Sequence, residues 1–200
     1  MNTQFFFDWD DTLMTTYFLS LHGYTSESDM IEIENGGSND VNQMDSNIFE
    51  EFKLLEQSVI KLLSLALKYS NEVSIITNSK LKWVIYTAKK FLPNVIPLFD
   101  RINIISARDE FSNQYPNDPG KWKYMAYQRQ LLENYTNVIS LSDSSGDIEV
   151  FQSVISKGSL AKSIKLIERS TPYQLRNQLD MISDTLYQIC IDPNNLRLVV

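Results

Sequence analysis

At 200 residues the chain has room for one hydrophobic core, and 43% hydrophobic residues is too rich for a disordered polypeptide. A formal net charge of −7 excludes general affinity for nucleic acid, which needs a basic face; it leaves open a phosphorylated substrate, because a bound cation reverses the sign locally. The single cysteine, Cys190, excludes an intrachain disulfide. No basic, apolar leader opens the chain, and no apolar run approaches the ~20 residues of a membrane span. The expectation is a cytoplasmic protein without membrane or nucleic-acid partners.

The first element is the apolar run "QFFFDW" (4–9), read as a buried strand that ends in acid. Asp8, Asp10 and Asp11 follow within four positions, a crowding of like charge that is costly unless a cation compensates it. A polar stretch with Gly36-Gly37 at its centre, within 26–46, reads as a loop or hairpin. Apolar residues at helical spacing predict a helix over 46–70, with Ser46 or Asn47 as its cap. The β-branched "EVSIIT" (72–77) predicts a strand, and 79–93 a helix stopped by Pro93. Further strands are expected over 101–106, 137–142 and 162–168, with helices over 122–135, 147–157 and 171–190.

Alternating strands and helices predict an α/β, Rossmann-like fold: a parallel five-stranded sheet with helices on both faces. One domain over 1–200 is expected, with a small polar insert at 14–46. In such sheets chemistry gathers at the carboxyl ends of the strands. The residues found there are Asp8, Asp10, Asp11 and Thr12 after the first strand, and Thr77, Asn78 and Ser79 after the second. Ser142, Asp143, Ser144 and then Asp147 follow the fourth, and Lys121 and Lys123 open the helix before it. Singly, each has a plainer reading: a turn former, a strand former, a solvated lysine, a helix-start acid. Their order, each at the same end of its own element, points to one pocket in which a hard cation is shared among carboxylates. Trp9 is expected in the core, Asp11 in a turn, His22 in packing or at the surface, and "KLKW" (80–83) on a solvated helix face, with contact to a substrate phosphate as the alternative.

The stretches "FFFDWDDTL", "VSIITNS", "GKWKYMAY" and "VISLSDSSGD" resemble the four motifs of the haloacid dehalogenase-like hydrolase superfamily, over roughly residues 4 to 168. Within it, "FDWDDTL", "ITNS", "FLPN", "IISARDEF" and "WKYMAY" are similar to a group of compact protist and algal members. The resemblance implies a Mg2+-dependent phosphomonoester hydrolase. Asp8 would be the nucleophile, Asp10 the general acid and base, and Thr77, Asn78 and Lys123 would bind the phosphoryl group. Mg2+ would be held by Asp8, the Asp10 backbone carbonyl and Asp143, with Asp147 supporting the lysine. Both Lys121 and Lys123 are candidates; the "WKYMAY" match favours Lys123. An acid at Asp10 favours phosphoryl transfer over dehalogenation, whose halide leaves without a proton.

The short insert at 14–46 implies no full cap, hence an open site suited to a bulky or protein substrate such as a phosphoprotein. One departure is Ser142, where members commonly carry glycine. Together with the acidic surface it motivates an alternative, a catalytically weak binding or regulatory module on the same fold. A receiver-like phosphoacceptor ranks last, because it expects an acid closing the third strand, where Ser106 stands.

Overall fold

The computed structural model describes residues 2–25, 44–133, 135–156 and 158–200. The strands are β1 (Thr3–Phe7), β2 (Glu72–Thr77), β3 (Asn103–Ser106), β4 (Asn137–Ser142), β5 (Leu160–Lys165) and β6 (Leu196–Val199). The helices are α1 (Thr16–Leu21), α2 (Ser46–Tyr69), α3 (Leu81–Phe91), α4 (Ala107–Phe111), α5 (Pro119–Gln130), α6 (Ser145–Val154) and α7 (Pro172–Ile191). A 3-10 helix (Pro93–Arg101) joins α3 to β3. All strand pairs are parallel, in the order β3-β2-β1-β4-β5-β6.

The expected α/β class holds, and the sheet has six strands rather than five. The added strand, β6, alternates half-buried Leu196 and Leu198 with exposed Arg197 and Val199 at the sheet's edge. It is placed by buried Lys162, whose Nζ donates to the carbonyls of Ile189 (2.7 Å), Cys190 (3.1 Å) and Asp192 (2.7 Å). Those carbonyls close α7, so one ammonium satisfies the helix end and turns the chain back to the sheet.

The opening aromatics divide between the two faces, as side chains on a strand must. Phe5 and Phe7 pack with residues of α2, α3 and α7, and Phe6 with Trp122 and Tyr127 of α5 and Phe151 of α6. All three are fully buried, each contributing about 1.5–3 kcal/mol. Helices therefore cover both faces, and β1 lies between β2 and β4.

Several boundaries differ from expectation. Asp45, not Ser46 or Asn47, caps α2, its carboxylate accepting from the Asn47 amide at 2.9 Å. The helix expected over 122–135 starts at Pro119, capped by Asp118, and ends at Gln130, where Leu131 turns extended. The strand expected over 162–168 spans Leu160–Lys165. Most of the 26–46 loop lies outside the described residues. Among the described residues no helix is long and apolar enough to cross a membrane.

Candidate active site

Parallel register brings the strand ends together. Phe7 pairs with Ile75 and Leu141, Thr77 pairs with Ser106, and the Asp8 amide extends the ladder to the Leu141 carbonyl at 3.0 Å. Beyond Asp8 the chain turns at once: the amides of Leu13 and Met14 both donate to the Trp9 carbonyl, and Asp11 takes a left-handed φ of 53°. That turn is why Asp11 is the residue without a strand or helix role; its carboxylate accepts from the Tyr17 amide at 2.9 Å. Trp9 is fully buried, and its indole donates to Thr87 Oγ1 at 3.0 Å.

The site is a cavity of 610 Å³ whose wall includes Asp8, Asp10, Asp143, Asp147, Lys123 and Thr77. Lys123 is 1% exposed and lies between two carboxylates, 3.0 Å from Asp8 Oδ1 and in contact with Asp147 Oδ2. Lys121 instead sits over the rings of Tyr115 and Tyr124. Of the two candidate lysines, the structure brings Lys123 to the acids.

Asp10 is held from three elements. Its Oδ1 accepts from Thr16 Oγ1 (2.7 Å) and Trp83 Nε1 (3.0 Å), and its Oδ2 from Thr77 Oγ1 (3.1 Å). Thr77 Oγ1 in turn accepts from the Ser79 amide at 3.0 Å, so its proton is directed at Asp10. Asn78 lines the same cavity, and its Oδ1 is buried with no hydrogen-bond partner among the described residues. Asp143 is joined to the first motif by Thr12, whose hydroxyl donates to Asp143 Oδ1 (3.3 Å) and accepts from the Asp143 amide (3.0 Å).

Ser142 is fully buried. Its hydroxyl donates to Asp147 Oδ2 at 3.1 Å and accepts from the Ser144 amide at 3.1 Å. The Ser144 side chain caps α6 by accepting from the Asp147 amide.

The electrostatics follow from one ammonium among several acids. Burial pushes the Asp8 carboxyl well above the usual range; Lys123 offsets part of this, and Asp147, Asp10 and Asp143 add to it. Burial works against the charge of Lys123, yet Asp8 and Asp147 together hold its pKa above the ordinary lysine value. Asp143 is pushed up to about 6, first by burial and then by Asp11 and Asp147, with Lys123 and the Thr12 hydroxyl opposing. A pocket so short of positive charge suits a hard cation.

Among the described residues no group of three or more His, Cys, Asp or Glu side chains is placed to hold a metal ion. The set expected from sequence has two carboxylates, Asp8 and Asp143, and the Asp10 carbonyl. An all-oxygen set of few protein ligands fits Mg2+, which keeps waters and takes substrate oxygens.

Thr12 and Ser142 stand at the strand ends where the sequence expects the pocket, without an assigned role there; Trp83 was expected outside it. Trp83, expected on a solvated face within "KLKW", is 7% exposed and reaches Asp10. Its signal was its place, a large ring in the first turn of the helix that follows β2. Ser142 stood as a departure, and its hydroxyl turns out to belong to the lysine network.

These features define an α/β protein with an all-parallel, Rossmann-like sheet and an acid-rich cavity at its carboxyl edge. No family model matches the chain, and no curated protein matches it. Among solved structures it is similar to the Legionella pneumophila effector Ceg4, crystallised with an N-terminal yeast Hog1p sequence. That match has a TM-score of 0.50 and 13% identity, and covers 96% of each chain. A second Ceg4 crystal structure, with an N-terminal TEV protease cleavage sequence, covers 92% of this chain and 93% of its own at a TM-score of 0.48 and 14% identity. At such identity the likeness concerns the fold alone.

Proposed function

We propose that the chain is a compact haloacid dehalogenase-like phosphatase that hydrolyses phosphomonoesters through an aspartyl-phosphate on Asp8. One observation carries this reading: Lys123 is buried between Asp8 and Asp147, while Asp10 and Asp143 face the same cavity. A carboxylate nucleophile, a second acid two residues on, and a fixed ammonium are what transfer of a phosphoryl group requires.

An Asp8 oxygen attacks phosphorus and the bond to the leaving oxygen breaks. Asp10 gives that oxygen its proton. Water then attacks the aspartyl-phosphate, Asp10 takes the proton back, and inorganic phosphate leaves with the Asp8 carboxylate restored. Lys123 offsets charge on the nucleophile and the phosphoryl oxygens. Thr77 and Asn78 bind those oxygens; Thr77 does so by turning its proton from Asp10 to the substrate. Asp8, the Asp10 carbonyl and Asp143 would hold Mg2+, which when bound neutralises phosphoryl charge.

Exposed Tyr17 and Ser20 of α1 border the mouth, a rim that can meet a bulky phosphorylated partner such as a phosphoprotein. The second reading, a catalytically weak module, draws on Ser142 and the acidic surface; the bond of the Ser142 hydroxyl to Asp147 favours the enzyme. The test is phosphate release from a panel of phosphorylated small molecules and phosphopeptides, with Mg2+ and with EDTA. Mg2+-dependent turnover, faster on phosphopeptides, is expected. Turnover of none of the panel sinks the phosphatase reading; faster turnover of sugar phosphates or nucleotides sinks the bulky-substrate part.

A further inference from the structure

Neighbouring residues Trp9 and Asp10 are both tied to α3 by indole N–H groups. The Trp9 indole donates to Thr87 Oγ1 (3.0 Å), and that hydroxyl donates to the Trp83 carbonyl (2.9 Å). The Trp83 indole then returns to Asp10 Oδ1 at 3.0 Å. The other two donors on Asp10 are the hydroxyls of Thr16 and Thr77, which rotate and can change partners. An indole N–H is a donor only and its direction is set by the ring. Trp83 is 7% exposed and lines the cavity.

We infer that Trp83 is a positioning residue that aims Asp10: its indole fixes Oδ1, so that Oδ2 faces the leaving oxygen once Thr77 turns to the phosphoryl group. This rests on the phosphatase reading, in which Asp10 protonates the leaving group. A misaimed acid harms substrates whose leaving oxygen needs a proton and spares those whose leaving group departs as a stable anion.

The variant is Trp83→Phe, which keeps an aromatic ring and removes the donor. Turnover of an alkyl phosphate and of p-nitrophenyl phosphate is measured with Mg2+ on wild type and variant. The expected result is a fall of about tenfold in the alkyl-to-aryl ratio of kcat/KM, which reports aspartyl-phosphate formation and not the shared second step in which Asp10 takes a proton from water. An unmoved ratio, or equal losses on both substrates, overturns the positioning role and leaves the phosphatase reading standing. A wild type that turns over neither these two substrates nor any phosphopeptide of the panel overturns that reading and this role with it.

A second measurement needs no activity. In 1H–15N spectra without metal, the indole resonance lost in Trp83→Phe should move in Asp10→Ala by more than the Trp122 indole does. A Trp83 indole that ignores loss of the Asp10 carboxylate contradicts the geometry.

Discussion

Thr12 and Asp143, 131 positions apart, hold each other by two hydrogen bonds through a single hydroxyl, which donates to the carboxylate and accepts from the amide. The loop after β1 is thereby pinned to the loop after β4, and the spacing of the acids on either side depends on it. Thr12→Val keeps the shape and removes both bonds, leaving the Asp143 amide without its acceptor. The expected cost is about 1–3 kcal/mol in urea unfolding, with a higher Mg2+ concentration needed for half-maximal turnover. Unchanged stability and unchanged Mg2+ dependence would contradict this pinning role.

Asp143 also sets a pH dependence. Its folded pKa of about 6 lies above the ordinary aspartate value of 3.8, so between these values the folded chain binds the proton more tightly than the unfolded chain. The Asp143 charge therefore destabilises the metal-free protein above about pH 6, and the penalty is relieved as pH falls through 6 toward 4. Asp143→Asn, without metal, should raise Tm at pH 7.5, and the gain should shrink by pH 5. A gain that is constant or grows on acidification contradicts the assignment.

Lys123 is the cation that permits buried Asp8 and partly buried Asp147 to stand together. Lys123→Met leaves Asp8 and Asp147 facing each other without it, and removing one partner of a buried ion pair costs about 3–5 kcal/mol. Adding Asp147→Asn to Lys123→Met should restore part of that loss. Chemical denaturation of the two variants beside wild type measures both effects; a double variant no more stable than the single one rules out charge as the cause.

Ser142 stands where members of the superfamily that the sequence resembles commonly carry glycine. The hydroxyl bonds a carboxylate, so Ser142→Ala should cost about 1.5–3 kcal/mol. Ser142→Gly should lower kcat, since Asp147 loses a donor and Lys123 a firmly held partner. A faster Ser142→Gly enzyme would mean that serine is a burden on the site.

Much of the fold was legible because its strands are buried on both faces and read as continuous apolar runs, as "QFFF", "VSIIT" and "NVISL" do. β6 was not, because its four residues alternate inward and outward at an edge and its position depends on Lys162, a tertiary contact no local pattern reveals. The short α1 and α4, of 6 and 5 residues, carry too few turns for periodicity to show. At the site, Asp8, Asp10, Thr77, Asp143 and Asp147 could be picked out because each lies at or just past a strand end or in the first turn of a helix, and Lys123 through the "WKYMAY" match. Trp83 could not, because its indole meets Asp10 only after β1 and β2 are side by side.

The most direct measurement asks whether phosphorus becomes bonded to Asp8. Protein mixed with Mg2+ and a 32P-labelled phosphomonoester, then acid-quenched, should carry label that hydroxylamine releases and that maps to the peptide holding Asp8; Asp8→Asn should carry none. Turnover without such label, or label that persists in Asp8→Asn, would contradict a site in which Asp8, paired with Lys123, is the nucleophile.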